Sequence, residues 1–281
     1  MSATRGGSVA AAGIASRLIE AGPAGVAEAV VFVHGNPGSS SDWSSLVAAT
    51  GEFARAVAFD MPGFGTTHVP QGGFDFSIDA YGAFLGEALD ALGIERAHLV
   101  LHDFGGPFGF SWGLAHPDAW RSVVLLNIGV LPGYRWHSMA RRWRTPVIGE
   151  MTQAWIPRFA WRRAMAGANP KGLPGGFVDK MYDEYDRETR RTVLALYRAT
   201  PDPGVTAAEL GPQIAALRKP ALVVWGASDP YASSEFAERQ RDYFDVRDVV
   251  ILPESSHWAF QDDPEATADA VLPFLREQLG A

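Results

Sequence analysis

The chain has 281 residues, 47% of them hydrophobic, and a formal net charge of -8. That length and apolar content bury a large core and suit one elaborated domain better than two separate ones. The acidic balance argues against nucleic acid or an anionic membrane as partner, and the absence of Cys excludes disulfides and thiolate metal sites.

The nearest thing to a basic stretch is Arg141, Arg142 and Arg144, interleaved with Trp143, which reads as a solvated helix face. No apolar run approaches the ~20 residues that a membrane span needs. VAAAGIA at 9–15, with only Arg5 before it, is too weak for a secretory signal. The expectation is a cytoplasmic protein, monomer or homodimer, whose partners are a small organic substrate and water.

In chain order, short runs rich in Val, Ile and Leu predict strands at 29–33, 56–59, 97–101, 122–126, 221–225 and 249–252. They alternate with helical patterns, which predicts an α/β fold with a mostly parallel sheet covered by helices. Ligands in such sheets bind beyond the carboxyl ends of the strands. The loops HGNPG, HDFGG, GASDP and ESSHW lie at those ends, so reactive side chains far apart in sequence converge on one edge.

Between Ile128 and about Pro212 the strand pattern stops, and the chain becomes helical and aromatic, with Trp136, Trp143, Trp155, Trp161, Tyr182, Tyr185 and Tyr197. A structureless loop of that length would be improbable. The segment 131–212 is therefore expected to form a helical cap inserted after the sixth strand, with 1–130 and 213–281 as the core. Within the cap, NPKGLPGG at 169–176 reads as a mobile turn.

Asp103 follows the run 97–101 and precedes a small-residue turn that leaves as a helix, the strand-turn-helix context of a nucleophile elbow. A carboxylate there is ionised at neutral pH and can attack saturated carbon bearing a leaving group, forming an enzyme ester. As a mere helix N-cap, Asp103 would need neither the glycines behind it nor the HGNP loop. No His cluster with metal-ligand spacing is present, so no metal and no cofactor is expected.

VFVHGNPGSSSDW, FDMPGFG, LVLHDFGGPFGFSWGLAHP, VVWGASDP and LPESSHWAFQDDPE follow one another from Val30 toward the C-terminus. In that order they resemble the aspartate-nucleophile branch of the α/β-hydrolases, which contains epoxide hydrolases, haloalkane dehalogenases and fluoroacetate dehalogenase. The resemblance implies an α/β-hydrolase fold and a cofactor-free hydrolase. It implies Asp103 as nucleophile, His257 as the base that activates water, and Asp229 as the partner of the second imidazole nitrogen. The N–H groups of Asn36 and Phe104 would hold the tetrahedral oxyanion. Pro37 stands in an HGxP turn that in this family often has a cis peptide bond. His34 and His102 read as structural hydrogen-bonders.

The leaving group is where the pattern is mixed. Haloalkane dehalogenases ordinarily place a Trp after the nucleophile, but Phe104 has no N–H to donate. Asn36 does resemble a halide-stabilising Asn, while fluoroacetate dehalogenase would place an Arg at position 104. Epoxide opening needs an acidic hydroxyl for the developing alkoxide, and Tyr197 in LALYRATPDP is similar to the cap tyrosine of epoxide hydrolases. The family's second Tyr is missing near Thr152, Gln153 and Trp155, so Gln153, Trp155, His137 or Tyr134 would stand in. Trp136, Trp143 or Trp155 would serve a halide.

The expected function is epoxide hydrolysis to a vicinal diol, with haloalkane dehalogenation as the alternative. An ester or lactone hydrolase and a non-catalytic ligand-binding protein are lesser readings, since Ser111, Ser255 and Ser256 occupy no elbow apex. The pocket is expected to be largely apolar, with Phe104, Trp43, Trp155 and Trp258 as walls and Gln153 as a polar contact.

Overall fold

A computed structural model describes residues 2–70, 72–169 and 171–281. Its centre is an eight-stranded sheet in the order β1-β2-β4-β3-β5-β6-β7-β8. The strands are β1 (Arg5–Ala11), β2 (Ile14–Ala21), β3 (Glu28–Val33), β4 (Arg55–Phe59), β5 (Arg96–His102), β6 (Trp120–Leu126), β7 (Pro220–Gly226) and β8 (Asp245–Leu252). β1 and β2 pair antiparallel, as do β2 and β4, and the remaining pairs are parallel.

The parallel strands read as continuous apolar runs because helices cover both faces. Val31, Phe32, Leu99, Val100, Leu125 and Val223 are fully buried, each contributing about 1.5–3 kcal/mol by leaving water. β1 and β2 lack such a run. β2 alternates only from Ile14 to Leu18, and the outer end of β1 is exposed. With Gly6, Gly7 and several Ala in place of β-branched residues, this edge hairpin is invisible to a search for apolar runs.

The core helices are α1 (Ser44–Thr50), α2 (Ile78–Ala91) and α3 (Gly105–Ala115). Between β6 and β7 lie α4 (Ser138–Arg144), α5 (Ile148–Ala154), α6 (Arg158–Ala168), α7 (Gly175–Glu184), α8 (Arg187–Ala199) and α9 (Pro203–Leu217). After β7 come α10 (Glu235–Arg239), α11 (Ala259–Asp262) and α12 (Pro264–Leu279). Pro212, expected to close the inserted segment, instead sits inside α9, which runs on to Leu217. In the 169–176 turn, Gly175 and Gly176 already belong to α7, and Pro170 lies outside the described residues.

β3 is flanked by β4 on one side and β5 on the other, so the chain changes direction across the sheet between β3 and β5. That reversal opens a crevice at the carboxyl ends of these two strands. The loops beginning at His34 and Asp103 meet there. Among the described residues, no helix is long and apolar enough to cross a membrane.

Candidate active site

Asp103 has φ 49°, a left-handed backbone that turns its carboxylate out between the end of β5 and the start of α3. Such a conformation is costly for a residue with a Cβ, and close glycine contacts hold it. A Cβ on Gly35 would lie 2.4 Å from Asp103 Oδ1, and one on Gly105 would lie 2.3 Å from the Val33 carbonyl oxygen. Only hydrogen at those positions lets the β3 and β5 loops close on each other.

The two carboxylate oxygens of Asp103 have different surroundings. Oδ1 accepts the Asn36 N–H at 2.7 Å. Oδ2 faces His257 Nε2 at 3.5 Å. The Asn36-Pro37 peptide bond is cis. The Phe104 N–H, the other donor expected of the oxyanion cradle, lies beside Oδ1's pocket at the positive end of the α3 dipole. Burial works against the Asp103 charge, but the His257 imidazole and the Asn36 N–H outweigh it and hold the carboxyl down to about 2.

His257 stands between two carboxylates. Its Nδ1 donates to Asp229 Oδ2 at 2.8 Å while Nε2 faces Asp103. Burial alone would lower the imidazole, yet Asp229 and Asp103 raise it well above its ordinary value. Asp229 is itself fully buried and accepts from Tyr231 N (2.7 Å), Ala232 N (3.1 Å) and Asn127 Nδ2 (2.8 Å). Desolvation raises it, and His257 with the Tyr231 and Ala232 N–H groups brings it below the usual carboxylate range.

The neighbouring histidines are occupied with backbone groups. His34 Nε2 accepts from Met61 N at 2.8 Å, so its Nδ1 proton goes to the Gly35 carbonyl. His102 Nε2 donates to the His257 carbonyl at 2.9 Å, and burial holds its imidazole down to about 3. His102 is thus a neutral brace behind the elbow.

Tyr197 reaches the same place from α8. Asp186 caps that helix by accepting from Glu188 N and Thr189 N, and the inward face then carries Val193, Leu194 and Tyr197 at three- and four-residue spacing. Arg144 hydrogen-bonds the Tyr197 carbonyl and ties α8 to α4. The Tyr197 phenol accepts from Asn36 Nδ2 at 3.4 Å, and its ring meets Phe104 edge-on at 5.0 Å. Burial and the Asp103 charge raise the phenol well above its ordinary value, so it keeps its proton.

These groups open into one cavity of about 460 Å³. Asp103, His257, Tyr197, Tyr134, Trp136 and His137 all line it. The wall expectations are otherwise corrected. Trp43 is fully buried behind the site, stacked on Phe260 at 4.5 Å and edge-on to His102. Trp258 packs edge-on against His257 from the rear at 4.9 Å. Gln153 is turned inward to donate to Tyr185 Oη at 2.8 Å, and Trp155 is 76% exposed on the protein surface. None of these four lines the cavity. Their positions depend on which face each segment turns to the core, which residue type alone does not encode. Phe104 does line it, and Tyr134, not Gln153 or Trp155, supplies a second phenol.

Sequence reasoning overlooked Asn127 and Tyr231. Asn127 follows β6 in a left-handed conformation (φ 52°), a geometry Asn tolerates, and that position after the run SVVLL was the available signal. Its amide also donates to the Ser256 carbonyl and accepts from Gly226 N, joining the loops after β6, β7 and β8. Tyr231 lies edge-on to His257 at 4.9 Å.

Residues 28–264 match the family described as alpha/beta hydrolase fold. The chain belongs to that family. It is 26% identical to the cis-3-alkyl-4-alkyloxetan-2-one decarboxylase of Xanthomonas campestris pv. campestris, covering 94% of this chain and 93% of the relative. It is also 26% identical to haloalkane dehalogenase 2 of Mycobacterium tuberculosis, over 88% of each chain. Human epoxide hydrolase 4 is 22% identical over 89% of this chain and 72% of its own. Among solved structures, the haloalkane dehalogenase DbeA of Bradyrhizobium elkani superposes with a TM-score of 0.84 at 23% identity, covering 99% of both chains. The chain thus has the α/β-hydrolase fold of that family.

Proposed function

We propose that the protein opens an epoxide to a vicinal diol through an alkyl ester on Asp103, with the segment 131–212 acting as a cap. The observation that carries this reading is the Tyr197 phenol. It accepts from the Asn36 amide beside Asp103 and so keeps its own proton for a donor role in the cavity. Tyr134 lines the same cavity as a second phenol. A phenol, ordinarily near 10, is a far stronger acid than the alcohol it would make from a ring oxygen.

Asp103 Oδ2 attacks a ring carbon, the ring C–O bond breaks, and the released alkoxide takes the Tyr197 proton. Esterification removes the Asp103 charge, one of the two that hold the His257 imidazole in its cationic form. The imidazolium then gives its proton to the Tyr197 phenolate, and the neutral imidazole becomes a competent base when it is needed. His257 takes a proton from water, which attacks Asp103 Cγ, and the oxyanion on Oδ1 lies in the cradle of the Asn36 and Phe104 N–H groups. Collapse breaks the bond from Cγ to the alkyl oxygen and releases the diol. The imidazolium gives the water proton to the leaving alkyl oxygen, and the proton left on the Asp103 carboxyl passes to His257, which restores the starting ion pair. Strained oxygen rings also feature in the names of two relatives, an epoxide in one and an oxetanone in the other.

One observation favours hydrolytic dehalogenation as a second reading. The Trp136 indole N–H is buried without an acceptor in the cavity wall, and with Asn36 it would form a donor pair for a halide.

Intact-protein mass spectrometry of His257→Gln, incubated separately with styrene oxide and 1-bromobutane, separates the two. A mass gain equal to the whole epoxide, mapped to Asp103, is expected. A butyl adduct with bromide release, and none from the epoxide, would replace this reading with the second. No adduct from either substrate would remove Asp103 as nucleophile.

A further inference from the structure

The reacting groups occupy only one end of the cavity. Asp103, His257, Tyr197 and Tyr134 gather at the end of β5, while the rest of the space runs between α3 and α9. Helix α3 turns Pro107, Phe110 and Leu114 to it, and α9 turns Ala207, Leu210 and Ile214. Each set recurs at three- and four-residue spacing, so the cavity follows one face of each helix instead of meeting it at a point. The stretch from Pro107 to Leu114 alone is about 10 Å long at a rise of roughly 1.5 Å per residue. Thr206 and Ala207 are small side chains on the facing surface, and larger residues there would close the gap.

Ser77, Ser111 and Asp79 also line this slot, away from Asp103 and beside Phe110 and Leu114. Ser111 Oγ donates to Asp79 Oδ1 at 3.0 Å, and Asp79 is exposed, so the slot reaches the surface there. Between that mouth and the reacting groups, the facing residues of both helices are predominantly apolar. A small epoxide alone would leave most of about 460 Å³ unfilled, and apolar surface facing such a space gains free energy when an apolar group covers it.

We infer that the substrate carries an unbranched, uncharged aliphatic arm that lies in the slot between α3 and α9 with its end toward Asp79. The substrate class is then an aliphatic epoxide of medium chain length, the ring at Asp103. The inference rests on the proposed Asp103 chemistry for which end of the substrate reacts.

The test is the affinity of the native protein for primary alkanols from butan-1-ol to octan-1-ol by titration calorimetry. These probes have no ring or leaving group, so the result is independent of the reaction. Affinity is expected to rise about fourfold per added methylene. Ala207→Trp from one wall and Leu114→Trp from the other should each flatten that increment. In parallel, the ratio of kcat/KM for 1,2-epoxyoctane to that for 1,2-epoxybutane should fall at least tenfold in either variant. An affinity that does not change with chain length, or an increment that survives in a folded Trp variant, would overturn the slot. An intact alkanol increment with no ester on Asp103 would instead count against the epoxide reading.

Discussion

The Asn36 side-chain amide donates to the Tyr197 phenol at 3.4 Å across 161 residues of sequence. This contact joins the loop after β3 to α8, and so places a phenol from the inserted segment near a carboxylate from the sheet. The same Asn36 supplies its backbone N–H to Asp103 Oδ1.

Tyr197→Phe keeps the ring contacts with Phe104 and Trp136 and removes the phenolic proton. Ester formation from an epoxide should slow by about 10²–10⁴-fold, the usual worth of a positioned acid. Hydrolysis of an ester already formed should proceed close to the native rate. Rapid-quench mass spectrometry resolves the two half-reactions, and a native rate of ester formation would remove Tyr197 as the acid.

The raised His257 imidazole makes stability depend on pH. Its value in the folded protein is about 10, above the ordinary value of roughly 6.5. The unfolded chain therefore releases the proton first as pH rises. The contribution of this group is fully present below pH ~6.5 and is lost as pH rises toward 10, with a slope of at most about 1.4 kcal/mol per pH unit. Asp103 has the opposite sign: held at about 2, it contributes above its unfolded value and loses that contribution as pH falls. Urea unfolding between pH 6 and 10 should show the alkaline decline in the native protein, and a shallower one in His257→Gln. Equal slopes in both would contradict an imidazolium paired with two carboxylates.

Gly35→Ala places a Cβ 2.4 Å from both Cβ and Oδ1 of Asp103. The carboxylate must swing out of its bond with Asn36 N, so kcat/KM should drop more than about 100-fold, and crowding should cost about 1–3 kcal/mol of stability. Gly6→Ala, whose added Cβ meets nothing within 4 Å, should leave both unchanged. Thermal melts and steady-state kinetics on the pair check this.

Asn127→Ala removes the donor to Asp229 and the bond to Gly226 N. The stability loss should be about 1–3 kcal/mol, the cost of leaving buried groups unpaired. Because Asn127 acts through Asp229 and His257, ester hydrolysis should slow more than ester formation. A uniform effect on both steps would make its role purely structural.

The strands of the parallel sheet were legible as apolar runs because both of their faces are buried, and 29–33, 97–101 and 122–126 each fall within the observed β3, β5 and β6. The β1–β2 hairpin was not legible, because an edge strand with one wet face carries only a weak alternation. The order of loops HGNPG, HDFGG, GASDP and ESSHW already implied a shared edge. Trp43, Trp155 and Trp258 show the limit, since an aromatic residue near a site in sequence can equally brace it from behind or face solvent.

The sequence by itself determined that a carboxylate stands at a strand-to-helix turn, since an apolar run before Asp103 and Gly105 and Gly106 after it are local backbone signals. It also determined the parallel sheet, because hydrophobic periodicity is a property of consecutive residues. The tertiary structure alone decided that Tyr197 and Tyr134 share a cavity with Asp103, that Asn127 supports Asp229, and that a slot follows α3 and α9. Those relationships join helix faces and strand ends far apart along the chain, and their geometry is set by how the inserted helices pack on the sheet.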